Sequence, residues 1–246
     1  MTAPVFHLVI PGLAKSANVF IQNAMQATLG CSFVRFADME QRILPEKLDE
    51  FFALDRAVGG QHILPTAHNL GQLAAHNVQR ICILVRDPRD AVISAWHHFE
   101  RADIRARPET LRVIAATGAV SLNYYDLTPG EKLRDLIVRL FPVFQNWIAS
   151  WLDVIDTVST LQCHVNRYEN FVTDQRGALR AMLEFFGHDI EPVLPSIGAT
   201  RDAGIDTATH FRRGQVGSYR DETPPELLRL FDERLDRKLA ARMSWT

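Results

Sequence analysis

Short apolar runs alternate with amphipathic ones along this chain, and that alternation predicts a fold class. Residues 5–10 (VFHLVI) and 81–85 (ICILV) are strand-length runs rich in Ile and Val, as expected of strands buried on both faces. Shorter strands are predicted over 32–36, 62–65 and 161–165, with Gly59 and Gly60 as the turn before the strand at 62–65. Between them the apolar period lengthens to three and four, predicting helices over 19–29, 45–54, within 66–77, and over 91–99, 131–158, 174–186 and 224–242. Gly187 closes the helix at 174–186, as a left-handed cap would. The stripe Phe141, Phe144, Trp147 and Trp151 at three- and four-residue spacing reads as core packing. Residues 102–130 read as a long loop and 191–210 as a surface crossing. Strand followed by helix, repeated, predicts an α/β domain with a central parallel sheet covered by helices. No composition shift marks a linker, so residues 1–246 are expected to form a single domain.

Three stretches carry candidate chemistry. In residues 80–94 (RICILVRDPRDAVIS) a buried strand runs into a helix start. Asp87 offers the N-cap, Pro88 suits the first helical position, and Asp90 adds a carboxylate to the first turn. Arg86 then stands at the carboxyl edge of the sheet, where open α/β folds bind ligands, and Ser94 lies two turns up the helix. An arginine and a hydroxyl there suit a phosphate; the alternative is that Arg86 pairs with Asp87 or Asp90 and Ser94 packs. The first strand leads into a short loop holding Lys15 and then a helix, a layout that points amides and a cation at an anion. It is not a Walker A loop, because Val9 and Ala14 stand where that pattern needs glycine. Finally, residues 211–220 (FRRGQVGSYR) combine two adjacent arginines with two glycines in a cationic loop able to fold over an anion.

Composition narrows the partners. The 246 residues are 47% hydrophobic and 23% charged, with net charge −2 and a pI near 6.5. That balance excludes a general polyanion-binding surface, so no nucleic-acid partner is expected and any phosphate site must be a local cluster. Cys31, Cys82 and Cys163 are widely spaced and read as small core residues in a reducing compartment. No basic residue precedes Lys15 in the apolar amino-terminal stretch, and no run approaches a membrane span, so a cytoplasmic protein is expected. His97 and His98 are adjacent on a helix and diverge, and no HExxH occurs, so no metal is expected.

In order, these stretches resemble the sulfotransferases that use 3′-phosphoadenosine 5′-phosphosulfate (PAPS). The family's P-K-S-G-T-T-W falls on Ala14, Lys15, Ser16, Ala17, Asn18, Val19 and Phe20. Its arginine and serine eight apart fall on Arg86 and Ser94, and its R-K-G-x-x-G-x-W-K on Arg212, Arg213, Gly214, Gly217, Tyr219 and Arg220. Tyr168-Glu169-Asn170 is similar to its Tyr-Glu-Asp. The resemblance implies a single-domain α/β/α sandwich like that of the P-loop NTPases, with PAPS as co-substrate and no metal. It implies that Lys15 neutralises the leaving phosphate. The amides of Ser16, Ala17, Asn18, Val19 and Phe20 would cradle the 5′-phosphate, with Asn18 replacing one lost hydroxyl. Phe20 would stack on adenine, a core position being its alternative. Arg86, Ser94, Arg212, Arg213 and the Gly214 amide would take the 3′-phosphate, with Tyr219 and Arg220 anchoring their loop. For the general base, relatives use a histidine in a K-x-H pattern. His68 is the expectation here, without the lysine, and His62, His76, Glu40 and Glu46 compete with it. The acceptor is expected to be a hydroxyl or amine of a small molecule or glycan, and a homo-oligomer stays open. A small-molecule kinase and a non-catalytic nucleotide-binding protein are the alternatives.

Overall fold

A computed structural model describes residues 5–195 and 214–245. Five strands form one parallel sheet: β1 (Phe6–Val9), β2 (Ser32–Val34), β3 (Arg56–Gly59), β4 (Arg80–Val85) and β5 (Gln162–Arg167). Their order is β2-β3-β1-β4-β5, so the chain crosses over β1 between β3 and β4. Helices flank the sheet, as parallel connections require. Contact density divides the chain into two compact units, one of residues 1–85 and 150–215, the other of residues 86–149 and 216–246.

The first unit contains the whole sheet. With it go α1 (Asn18–Leu29), α2 (Pro45–Phe52), α3 (Ala67–Ala75), α8 (Tyr168–Thr173) and α9 (Gln175–Phe185). Side chains alternate along the strands: Leu8, Ile10, Val58, Cys82 and Leu84 meet Ile21, Ala24 and Met25 of α1 and Leu179, Met182 and Leu183 of α9 in one core. The second unit is helical: α4 (Pro88–Phe99), α5 (Ala102–Arg105), α6 (Pro108–Ala116), most of α7 (Pro129–Thr157), α10 (Ser218–Glu222), α11 (Pro225–Arg234) and α12 (Arg237–Arg242). Phe141 packs edge-on against Phe231 at 5.0 Å, and the whole aromatic stripe of α7 is buried, as expected of core.

Three element predictions are corrected. The third strand lies at Arg56–Gly59 and residues 60–65 follow it as a loop. Gly59 closes this strand because a Cβ there would fall 2.5 Å from the Phe36 ring and 2.9 Å from Phe51. The glycine serves close packing here and not a turn. Residues 102–130 are not one open loop but hold α5, α6 and a short 3-10 turn at Tyr124–Asp126. The carboxyl-terminal helix is two, because the chain breaks at Leu235 and Asp236 recaps it by accepting from the Lys238 and Leu239 amides.

Candidate active site

The Lys15 loop is stitched to strand ends on both sides. The Ile10 amide donates to Gly59 O (2.7 Å) and the Gly12 amide to Gln61 O (3.0 Å), while Leu13 N donates to Leu84 O and Leu84 N to Pro11 O. Inside the loop, Ser16 Oγ donates to Leu13 O (2.6 Å), and Asn18 Nδ2 donates to the same carbonyl (2.7 Å). Asn18 thus braces the loop rather than presenting a substitute donor. The Ser16 amide also donates to Leu13 O (3.3 Å), which removes it from the expected cradle. The amides of Ala17, Asn18, Val19 and Phe20 remain as the open first turn of α1, where no side chain caps the helix. Phe20 does not offer a stacking surface. Its ring is 3% exposed and packs edge-on against Phe171 at 5.3 Å, because the α1 face it occupies is the one turned to the core.

Lys15 (φ 71°) and Ala17 (φ 65°) both sit in the left-handed region. The resemblance places glycine at position 17, and the backbone here demands what glycine supplies without strain. Ala17→Gly should therefore raise stability by about 0.5–1 kcal/mol, read as a higher urea midpoint at unchanged slope.

The structure separates the candidate bases. His62 Nδ1 donates to Gly12 O at 2.7 Å, within the Lys15 loop itself. A carbonyl only accepts, so Nδ1 carries the proton and the neutral ring keeps its lone pair on Nε2. Burial pushes this imidazole below its usual range against the opposing Gly12 bond, and the charges of Lys15 and Arg35 push the same way as burial. His68, the expected base, is bound elsewhere. Its Nε2 donates to Ile43 O (3.0 Å), and its neighbour Asn69 accepts from Ile43 N (2.8 Å) and donates to Gln41 O (2.8 Å). Both residues fasten the 41–43 segment to the first turn of α3, which Thr66 caps. His76 stacks on Phe52 and pairs with Asp49 at 2.9 Å, and Glu40 and Glu46 are exposed. His62, one of the competing candidates, stands three residues past the end of β3, in the loop that the sequence pattern reads as a strand over 62–65.

In the second unit, Arg86 follows β4 directly and is 6% exposed. Asp87 caps α4 by accepting from the Arg89 amide and pairs with the Arg89 side chain at 2.7 Å. Asp90 accepts from the Gly217 amide (2.6 Å), Ser218 Oγ (3.1 Å) and the Tyr219 amide (3.0 Å). Asp87 thus serves the α4 start, and Asp90 the α10 start. Ser94 is half-buried on α4, with no hydrogen bond from its hydroxyl among the described residues. Tyr219 is buried between the Arg89 and Arg220 guanidinium groups, 4.4 Å and 4.7 Å from its ring centre. Gly214 takes a left-handed φ of 62°, while Arg212 and Arg213 lie outside the described residues.

Asp90 acts as a cap supplied from another helix, since α10 has none of its own. Asp90→Ala should accelerate hydrogen exchange at the Gly217 and Tyr219 amides and cost about 1–3 kcal/mol of stability, the range for stranding buried donors.

Comparison with known proteins bears on this geometry. The family model described as "Sulfotransferase domain" matches residues 61–242. Among solved structures, mouse sulfotransferase SULT7A1 complexed with PAP is 15% identical, with TM-score 0.60, covering 100% of this chain and 91% of that one. A sulfotransferase from Alicyclobacillus acidocaldarius is 17% identical, with TM-score 0.53, covering 99% of this chain and 97% of that one. No curated protein sequence matches this chain.

Proposed function

This chain belongs to the sulfotransferase domain family, and we propose that it moves the sulfuryl group of PAPS to an acceptor hydroxyl or amine with Lys15 and His62 as the reacting-centre residues. The observation that carries this reading is the His62–Gly12 bond, which ties a base to the loop that holds Lys15. In an in-line displacement the acceptor oxygen or nitrogen bonds to sulfur as the bond from sulfur to the 5′-phosphate oxygen breaks. His62 Nε2 takes the acceptor proton, in a tautomer already fixed by the Gly12 carbonyl. Lys15 neutralises charge that grows on the departing phosphate, together with the open amides of residues 17–20. Arg86 and Ser94, with the Gly214 amide and Arg212 and Arg213, take the 3′-phosphate. A buried guanidinium suits a bidentate oxyanion, and Ser94 has a hydroxyl left to give. Asp90 and Tyr219 hold the α10 end of that last loop. His68 keeps a structural role on the 41–43 segment. Cys31, Cys82 and Cys163 are free thiols, in keeping with a reducing, cytoplasmic location.

Calorimetry tests the nucleotide assignment. The product nucleotide, 3′-phosphoadenosine 5′-phosphate (PAP), should bind at least about 10-fold more tightly than 5′-AMP, since one charge-assisted contact is worth about 1.5–3 kcal/mol. Equal affinities would remove Arg86 and Ser94 from the site.

A further inference from the structure

We propose that Arg35 is an acceptor-side residue that selects a substrate carrying an oxyanion, such as a carboxylate, alongside the group to be sulfated. The inference rests on His62 being the base. It begins with Gly60, two residues before His62, the position the K-x-H pattern gives to lysine. Gly60 has φ 132°, and a Cβ there would lie 2.3 Å from Ile10 O, so no side chain fits. A cation beside the base must come from elsewhere in space.

Arg35 supplies one. It follows β2 at the carboxyl edge of the sheet, and β2 pairs with β3, from whose end Gln61 and His62 continue. With the Gln61 amide oriented by its partners, its nitrogen donates to Ala37 O (3.0 Å) and its oxygen accepts from Arg35 Nε (3.2 Å). The Gln61 backbone carbonyl meanwhile accepts from Gly12 N (3.0 Å). One residue thus links Arg35 to the Lys15 loop, and its neighbour is the base. The side chain of Arg35 is exposed, and no carboxylate pairs with it among the described residues. Its Nε is held by Gln61, and neither Nη group has a partner among the described residues. That is a fixed fork suited to two oxyanion oxygens rather than a wandering surface charge. An acceptor whose hydroxyl lies at His62 Nε2 would bring a nearby carboxylate, sulfate or phosphate to this fork.

Two phenols of similar shape test it, 4-hydroxyphenylacetate with a carboxylate and 4-ethylphenol without. Calorimetry on the PAP-loaded protein should show the anionic phenol binding about 10-fold more tightly or better, as one charge-assisted pair allows. Arg35→Gln should abolish that difference, and Arg35→Lys should retain part of it. Where turnover is measurable, the ratio of kcat/KM for the two phenols should follow the binding ratio, chiefly through KM. Equal binding of both phenols by the wild-type protein, or a preference that survives Arg35→Gln, overturns the proposal. Failure of PAP to bind overturns the nucleotide reading instead. Independently of any ligand, an NMR titration should show the His62 pKa rising in Arg35→Gln, because a positive neighbour is lost; an unmoved His62 would place Arg35 too far from the base to serve its substrate.

Discussion

Replacing Lys15 with alanine should lower turnover by about 10²–10³-fold while PAP still binds, because one preorganised donor to a developing anion is worth that much in the transition state and far less in the ground state. The Lys15 loop has supports other than this side chain. It is held by Ser16 and Asn18 on Leu13 O and by backbone bonds to Gln61, Leu84 and Pro11. The substitution should also move the acid limb of kcat/KM to higher pH. Lys15 is one of the charges that depress His62, so its loss lets the imidazole hold a proton at higher pH. Single-turnover kinetics with equilibrium PAP binding checks both parts. A rate within threefold of wild type would leave Lys15 without a chemical role.

His62→Ala should cost about 10²–10⁴-fold in rate, the range for a lost general base. The sign of the pH effect follows from the required form. The base works only when neutral, so activity in the wild-type protein should fall as pH drops through a pKa below the usual histidine value, about 6.5. The variant should lose that limb. Alanine also removes the donor to Gly12 O, so His62→Asn is the sharper control: its Nδ2 can replace the imidazole Nδ1–H toward Gly12 without offering a base. If His62→Asn keeps near-wild-type rate and its acid limb, the base lies elsewhere. His68→Ala should instead keep the acid limb and show its cost in stability, since it loses the bond that pins Ile43.

What the sequence determined by itself is the part written in local runs of the chain. The apolar runs at 5–10 and 81–85 place β1 and β4, and the Asp87-Pro88 start of α4 is a cap whose partners lie within two residues. The order of the Lys15, Arg86 and Gly214 stretches was enough to reach the family. Tertiary structure alone decided which face each residue turns. Phe20 went to the core because the α1 face bearing Phe20, Ile21 and Ala24 is the one packed on the sheet. Gly59 was needed for the Phe36 and Phe51 rings pressing on β3, a demand from residues 23 and 8 positions away that reads locally as a turn. Reading a turn there moves the expected strand to 62–65, past its place at Arg56–Gly59. Two histidines six residues apart meet different partners, His62 bonding Gly12, 50 residues upstream, and His68 bonding Ile43, while Arg35 joins Gln61 across the β2–β3 pair. A parallel sheet joins the ends of strands distant in the chain, so the partners at its carboxyl edge are fixed by strand order and register, which no local pattern of residues encodes.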